Sequence, residues 1–176
     1  MADVPDTLTL ERNRDLVGFY RGAIWFRRGV LLILTLIAVL ALANVFGQRA
    51  TSVLRSSSTA ALKLTAPTTV RGGDLWQARF HITAKQDLSK AILKLEPGWA
   101  DGLTINTIEP APTNESSDDG RLSFELGSIA AGGNFILFMQ LQTNPTTVTW
   151  HRSQDVELVD GSTVVASIHR TITVLP

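Results

Sequence analysis

The chain has 176 residues, and 16 Lys and Arg balance 16 Asp and Glu, so its net charge is close to zero. Nothing in this balance favours binding to nucleic acid. Cysteine is absent, which excludes disulfides, thiolate metal sites and a catalytic thiol.

The N-terminal segment, residues 1–28, combines an amphipathic pattern with several arginines. Apolar residues recur at helical spacing from Glu11 onward, and Arg14, Arg21 and Arg28 share another face. We interpret the segment as a cytoplasmic tail whose amphipathic basic part lies on the membrane surface or continues into a membrane helix. It either docks against a partner subunit or anchors the chain at the interface. The side chains expected to anchor it are Tyr20, Trp25, Phe26, Arg27 and Arg28.

Residues 29–47 form an uncharged apolar run in which Thr35 and Asn44 are the polar side chains. As a helix the run covers roughly 27 Å, close to the ~30 Å hydrocarbon core of a bilayer. Backbone groups in lipid must bond internally, so the run is predicted to be a transmembrane helix. Arginines are more frequent before it than after it, which predicts a cytoplasmic N-terminus and an extracytoplasmic C-terminal domain in the cell membrane.

A cleaved signal peptide is the alternative interpretation of the same run. Ala41-Leu42-Ala43 has the small-x-small pattern that signal peptidase recognises. The long charged region before the run and the apolar residues after Ala43 favour a retained anchor instead.

The remainder of the chain is predicted to be a linker followed by one β domain. Residues 48–60 are rich in Ser and Thr and lack periodicity, as a linker does. Residues 61–176 contain short runs in which apolar and polar residues alternate, and Asp160-Gly161 is a strong hairpin signal. About eight or nine such strands without helices between them predict an antiparallel β-sandwich, and hence a mainly β fold class.

Two segments of this domain resemble bacterial immunoglobulin-like domains of the conserved-repeat type. Gly120–Gly133 contains a strand followed by Leu-Gly-x-Ile-x-x-Gly, and Leu95–Ile105 resembles the Leu-x-Pro-x-Gly-Leu segment of those domains. The resemblance implies an immunoglobulin-like sandwich on a bacterial surface that serves adhesion, spacing or partner binding. It implies no catalytic residues.

Ile136 and Phe138 are the first candidates for a partner-binding site. They lie in Phe135–Met139, where both faces of one predicted strand are apolar. The outer face of a sandwich strand is ordinarily polar. Either a loop or tail covers these two side chains, or they form a contact patch for a partner or for the membrane.

Trp99 is the other candidate, in a Pro-Gly loop. Exposed, it would stack on a sugar or on a partner; buried, it would close one end of the sandwich, as large aromatic side chains mostly do.

No constellation of residues predicts an enzyme. His81, His151 and His169 lie in separate segments, and the acidic stretch Asn114–Gly120 matches no EF-hand loop. Neither a nucleophile elbow nor a phosphate-binding glycine loop is present. We therefore expect no metal, no cofactor and no catalytic activity.

The sequence thus predicts an accessory or scaffold subunit of a membrane protein complex. Its partners would be the lipid bilayer and another integral membrane protein, contacted through the sandwich. The alternative is a membrane-anchored module that binds cell-wall glycans, which requires an exposed aromatic platform around Trp99 or Trp150.

Overall fold

A computed structural model describes residues 10–43, 45 and 48–176 of the chain. The chain divides into two compact units, Met1–Phe46 and Gly47–Pro176. The predicted tail residues 1–9 and the residues Asn44, Phe46 and Gly47 lie outside the described part.

The first unit contains one continuous helix, α1, from Leu10 to Leu42. The amphipathic segment therefore continues into the apolar run, as one of the two interpretations predicted. Asn44, Phe46 and Gly47, which the predicted span to residue 47 includes, lie outside the described residues, and the described helix ends at Leu42. There the N–H of Val45 bonds to the carbonyl of Leu40 at 3.0 Å, which closes the last turn over five residues.

Part of α1, Gly22–Leu42, is long and apolar enough to cross a membrane. None of this part is buried within the chain. A signal sequence near the N-terminus has the same properties, so the retained anchor stays a prediction.

The second unit is built from strands joined by short turns, with a 3₁₀ turn at Pro97–Trp99. Its thirteen strands are β1 Ala50–Ser56, β2 Ala60–Pro67, β3 Thr69–Arg71, β4 Leu75–Ala84, β5 Leu88–Leu95, β6 Leu103–Glu109, β7 Asn114–Asp118, β8 Arg121–Ile129, β9 Asn134–Thr143, β10 Thr149–Ser153, β11 Val156–Asp160, β12 Thr163–Ile168 and β13 Thr171–Leu175.

These strands form a first sheet in the order β1-β2-β4-β9-β6 and a second in the order β12-β11-β5-β8-β7. Along β4 every second side chain, from Trp76 to Ala84, is buried, and β9 shows the same alternation. The inward side chains of both sheets belong to one hydrophobic cluster, which includes Phe80, Leu93 and Leu137. The predicted mainly β sandwich is thus confirmed, and the alternation places its core between the two sheets.

The predicted linker 48–60 is wrong for its central part. Residues Ala50–Ser56 form β1, an edge strand that pairs antiparallel with β2 from Ala50↔Pro67 to Ser56↔Ala61. Only Val53 of β1 is partly buried against the core. A strand that buries so little has no apolar alternation, and for that reason the sequence resembled a linker.

A third, smaller sheet has the order β10-β13-β3. Its β13–β3 pair is parallel, contrary to the wholly antiparallel prediction. β3 follows directly on β2 of the first sheet. β10 precedes and β13 follows the β11–β12 hairpin of the second sheet. At these points the chain passes between a large sheet and the small one. Bends of this kind form the corners of sandwiches.

Two hairpins turn on the same dipeptide. Asp160-Gly161 joins β11 to β12, as predicted, with Gly161 at φ 60. Asp119-Gly120 joins β7 to β8 with both residues at positive φ, 48 and 76, as a type I′ turn requires. β7 was not predicted from the sequence, because its five residues are all exposed and lack alternation.

Trp99 is fully buried, as the second of its two interpretations predicted, so its assignment as a partner-binding residue is wrong. It lies within the core at ring-centroid distances of 6.1 Å from Trp76 and 5.5 Å from Phe80. The preceding Gly98 allows this, because a Cβ there would lie 1.8 Å from the carbonyl oxygen of Ser153. The bare backbone of Gly98 thus lets the 3₁₀ turn pack on β10 and close the core.

Substitution of Gly98 by Ala is expected to destabilise the sandwich by about 3 kcal/mol, because the new methyl group overlaps backbone that cannot move independently. Urea unfolding of the full chain in detergent, followed by tryptophan fluorescence, measures this. Gly29→Ala in α1 is the control, since a Cβ there meets nothing within 4 Å. Equal stability of Gly98→Ala and the native chain would contradict the packing described.

Candidate interaction surface

Ile136 and Phe138 point outward from β9, on the outer face of the first sheet. Ile136 is 40% exposed and Phe138 is half-buried, while the alternating Leu137 and Met139 are fully buried. Ile136 pairs with His81 of β4, and Phe138 lies between Arg79 of β4 and Glu109 of β6. We call the outward side chains of β4, β9 and β6 around these two residues the β9 face.

Polar side chains surround this apolar centre and bond to one another across the strands. Asn134 Oδ1 accepts from Thr83 Oγ1 at 2.8 Å and lies 3.3 Å from His81 Nε2. Thr107 Oγ1 lies 3.0 Å from Gln140 Oε1 and donates to it. The rim is therefore ordered before any partner binds, which lowers the entropy lost on association.

An apolar centre with a hydrogen-bonding rim is the composition typical of a protein–protein contact. Of the two explanations offered for Ile136 and Phe138, complete covering by a loop or tail does not apply to Ile136, which is accessible. The apolar centre is small, since two side chains form it and charged or polar residues flank both.

A second group of exposed apolar side chains lies at one end of the sandwich. Trp150 is 68% exposed, and Val148 and Leu75 are each 53% exposed. From the sequence, Trp150 was expected only as part of a glycan-binding platform. A bulge in β10 between Thr149 and Arg152 turns Trp150 outward, and such a bulge has no apolar pattern in the sequence.

The predicted membrane-anchoring side chains lie on α1. Trp25 and Phe26 are exposed, and the guanidinium of Arg28 lies 5.4 Å from the ring centre of Trp25, a cation–π distance. Arg27 is exposed beside them. Tyr20 also belongs to α1, but its side chain lies outside the described part.

The strongest electrostatic features lie at the corner where the chain passes from β12 to β13. The buried guanidinium of Arg170 donates to the carbonyl of Pro67 and lies 5.5 Å from the ring centre of Trp99. Burial lowers the pKa of Arg170 to about 10, so it remains protonated at neutral pH. This cation thus holds the corner closed from within and is inaccessible to a ligand.

Asp155 lies on the outer side of the same corner. Partial burial acts to raise the pKa of Asp155, but a hydrogen bond from His169, others from the Arg170 backbone and Ser153, and the charge of His169 lower it below its ordinary value. His169 Nδ1 lies 2.7 Å from Asp155 Oδ2. This pair connects the segment before β11 to the segment after β12, at the open end of the β11–β12 hairpin.

The arrangement of the titratable side chains bears on the possibility of a metal site. Within residues 10–43, 45 and 48–176, no group of three or more His, Asp or Glu side chains is arranged to hold a metal ion. His81, His151 and His169 lie on β4, β10 and the β12–β13 connection, in separate places.

Comparisons with known proteins give structural similarities of low score. No protein-family model and no curated protein sequence matches the chain. The CaCohA2 structure from Clostridium acetobutylicum has a TM-score of 0.44 at 12% identity and covers 68% of this chain and 92% of that one. A CARDB domain from Pyrococcus furiosus, solved with di-metal ions, has a TM-score of 0.40 at 11% identity, covering 68% and 97%. A non-cellulosomal cohesin from Archaeoglobus fulgidus has a TM-score of 0.40 at 16% identity, covering 63% and 88%. With scores below 0.5, these similarities carry no inference about a ligand or partner, and the fold assignment rests on the strand pairing itself.

Replacing Asp155 by Asn is expected to lower the unfolding free energy by about 1–3 kcal/mol at neutral pH, because charge-assisted hydrogen bonds are lost. Since the pKa of Asp155 is lowered on folding, its contribution is complete above the ordinary value of 3.8 and disappears as the pH falls below it. Urea unfolding of the native chain and of Asp155→Asn at about pH 7, 5 and 3 measures the difference in their unfolding free energies.

Asp118→Asn is the matched control, because this exposed carboxylate of β7 makes no hydrogen bond or ion pair with the described residues. A stability difference for Asp155→Asn that is larger near pH 3 than near pH 5 would contradict the lowered pKa.

Proposed function

We propose that the chain is a non-enzymatic single-pass membrane protein whose extracytoplasmic sandwich serves as an accessory or scaffold subunit for another integral membrane protein. The N-terminus lies in the cytoplasm and α1 crosses the bilayer. The β9 face, centred on Ile136 and Phe138, supplies the contact with the partner.

The observation that carries the membrane part is the apolar, unburied length of α1. A helix with this many exposed apolar side chains is stable only in lipid or against another protein. Thr35 is the polar side chain between Gly29 and Leu42, and it donates to the carbonyl of Leu31 at 2.8 Å. Its hydroxyl therefore needs no water, in agreement with a place in lipid.

The support for the partner contact is the composition of the β9 face. Its apolar centre and prearranged polar rim match what a protein surface recognises. An anchor also confines the sandwich to the membrane surface, where even a weak contact acts at high effective concentration.

The glycan-binding alternative has less support. It required a platform at Trp99 or Trp150, and Trp99 is buried in the core. Trp150 remains as one exposed aromatic side chain. A glycan module therefore stays the second candidate, with Trp150 as its binding residue.

The test is co-purification of the tagged full-length chain in mild detergent from its native cells, with quantitative mass spectrometry. A stoichiometric multi-pass protein is the expected partner. Ile136→Ser, alone and with Phe138→Ser, should reduce its recovery at least about tenfold, because central apolar contacts often contribute about 2 kcal/mol each.

Val164→Ser is the matched control, since Val164 is 52% exposed on β12, in the other sheet. Variants are first checked by urea unfolding, because Phe138 is half-buried and its loss affects packing. Undiminished recovery with a folded Ile136→Ser, Phe138→Ser chain would exclude the β9 face. A chain that co-purifies with no membrane protein would overturn the subunit role.

A further inference from the structure

We propose that the end of the sandwich bearing Trp150, Val148 and Leu75 rests on the phospholipid surface, with Trp150 inserted at the headgroup level. This inference rests on the proposed function in that α1 must anchor the chain in the bilayer. It assigns to the sandwich a lipid contact that is separate from the β9 face. We call these three side chains and the turns between them the Trp150 end.

The Trp150 end collects exposed apolar side chains. Among residues 48–176 the large hydrophobic side chains that are exposed are Leu54, Leu75, Ile136, Val148, Trp150 and Val164. Half of them lie at this one end, and Trp150 is the most exposed of all six at 68%. Trp combines an apolar ring with an N–H donor, and it is enriched where membranes meet water.

The backbone of β10 directs Trp150 outward. Thr149 pairs with Val174 and Arg152 pairs with Ile172, so Trp150 and His151 together lie opposite Thr173 alone. His151 adopts the left-handed region at φ 52 to make this bulge. A bulge in an edge strand changes the direction of a side chain. A non-glycine residue at positive φ is rare, and such residues occur mostly at functional sites.

Strand registers place Trp150 at the end of the sandwich where the chain enters it. Ala50, the first residue of β1, pairs with Pro67, and β2 continues into β3. Val174 of β13 lies between Val70 of β3 and Thr149 of β10. Trp150, the residue after Thr149, therefore lies toward the same end of the sandwich as Ala50.

Leu75 and Val148 belong to the same end. The side chain of Gln48 donates to the carbonyl of Leu75 at 3.2 Å, next to the start of β1. The turn before β4 bonds to the end of β9, with Gly73 N–H 3.0 Å from the Thr143 carbonyl. The connection from β9 to β10, which carries Val148, continues from that point.

The length of the intervening chain limits how far this end can lie from lipid. Residues 43–49 separate the end of α1 from β1. Even fully extended they span roughly 25 Å. If α1 crosses the bilayer as proposed, this length keeps Ala50 close to lipid, and lipid is therefore the occupant that we assign to the end of the sandwich at which β1 begins.

The opposite end offers a matched reference position. Val164 is 52% exposed, against 53% for Val148. It pairs with Val159 beside the Asp160-Gly161 turn, whose Gly161 N–H bonds to the carbonyl of Lys90. Lys90 lies near the start of β5, just after the end of β4 that is remote from Leu75.

The experiment uses the full chain, which is free of cysteine, reconstituted in phosphatidylcholine vesicles. Single cysteines at Val148→Cys or Val164→Cys carry a fluorophore, and a fraction of the lipid carries a nitroxide quencher on its headgroup. We expect quenching of the fluorophore at position 148 and none at 164. Adding Trp150→Ser should remove most of the quenching at 148, whereas Leu54→Ser should leave it unchanged.

Two results would overturn the lipid contact. Equal absence of quenching at 148 and 164 shows that the Trp150 end stays away from lipid. Quenching at 148 that survives Trp150→Ser shows that the short tether alone brings this end near the bilayer.

A third result assigns Trp150 to another ligand. If lipid causes no quenching at 148 but a soluble cell-wall glycan changes the fluorescence there, Trp150 binds glycan and the lipid contact is wrong. Flotation of the same vesicles tests the anchor separately from the Trp150 contact. A chain that does not float with lipid is not anchored by α1, which contradicts the proposed function itself.

Discussion

The packing of Trp99 is the interaction on which the rest of the sandwich depends. Its ring contacts Trp76 and Phe80 of the first sheet, and the buried guanidinium of Arg170 lies over it. Arg170 also bonds to Pro67, where β2 leaves the first sheet for β3. The Arg170 side chain thus connects Trp99 in the core to the corner at which β2 passes into β3 and β12 passes into β13. The small third sheet, whose strand β10 carries the bulge at Trp150, begins at this corner with β3 and β13.

Much of this fold could be predicted from the alternation of apolar and polar residues. Strands that bury one face, such as β4 and β9, show the alternation clearly because burial selects their inward side chains. β1 and β7 could not be found in this way, since edge strands with little burial lack such selection. The Asp119-Gly120 turn was nevertheless a usable signal for β7, being the same dipeptide that correctly predicted the β11–β12 hairpin.

The candidate surfaces were predictable to different degrees. Ile136 and Phe138 stood out because an apolar side chain on the solvent face of a strand breaks the alternation. For Trp99 both burial and exposure were open, and burial is what the structure shows, because the close approach of Gly98 to Ser153 lets the 3₁₀ turn pack into the core. Trp150 depends on a two-residue bulge, which is a property of strand pairing between distant segments and leaves no local pattern.

The proposed orientation across the membrane is the claim from which the partner contact and the lipid contact both follow. Because the chain contains no cysteine, single cysteines can report it. Intact cells that express Ala2→Cys or Ser58→Cys are treated with a membrane-impermeant maleimide, and the mass of the purified chain is then determined. A single-pass anchor with a cytoplasmic N-terminus predicts an uncleaved chain that is labelled at position 58 and protected at position 2. Labelling at position 2 alone, or a mature chain beginning at Asn44, would contradict it.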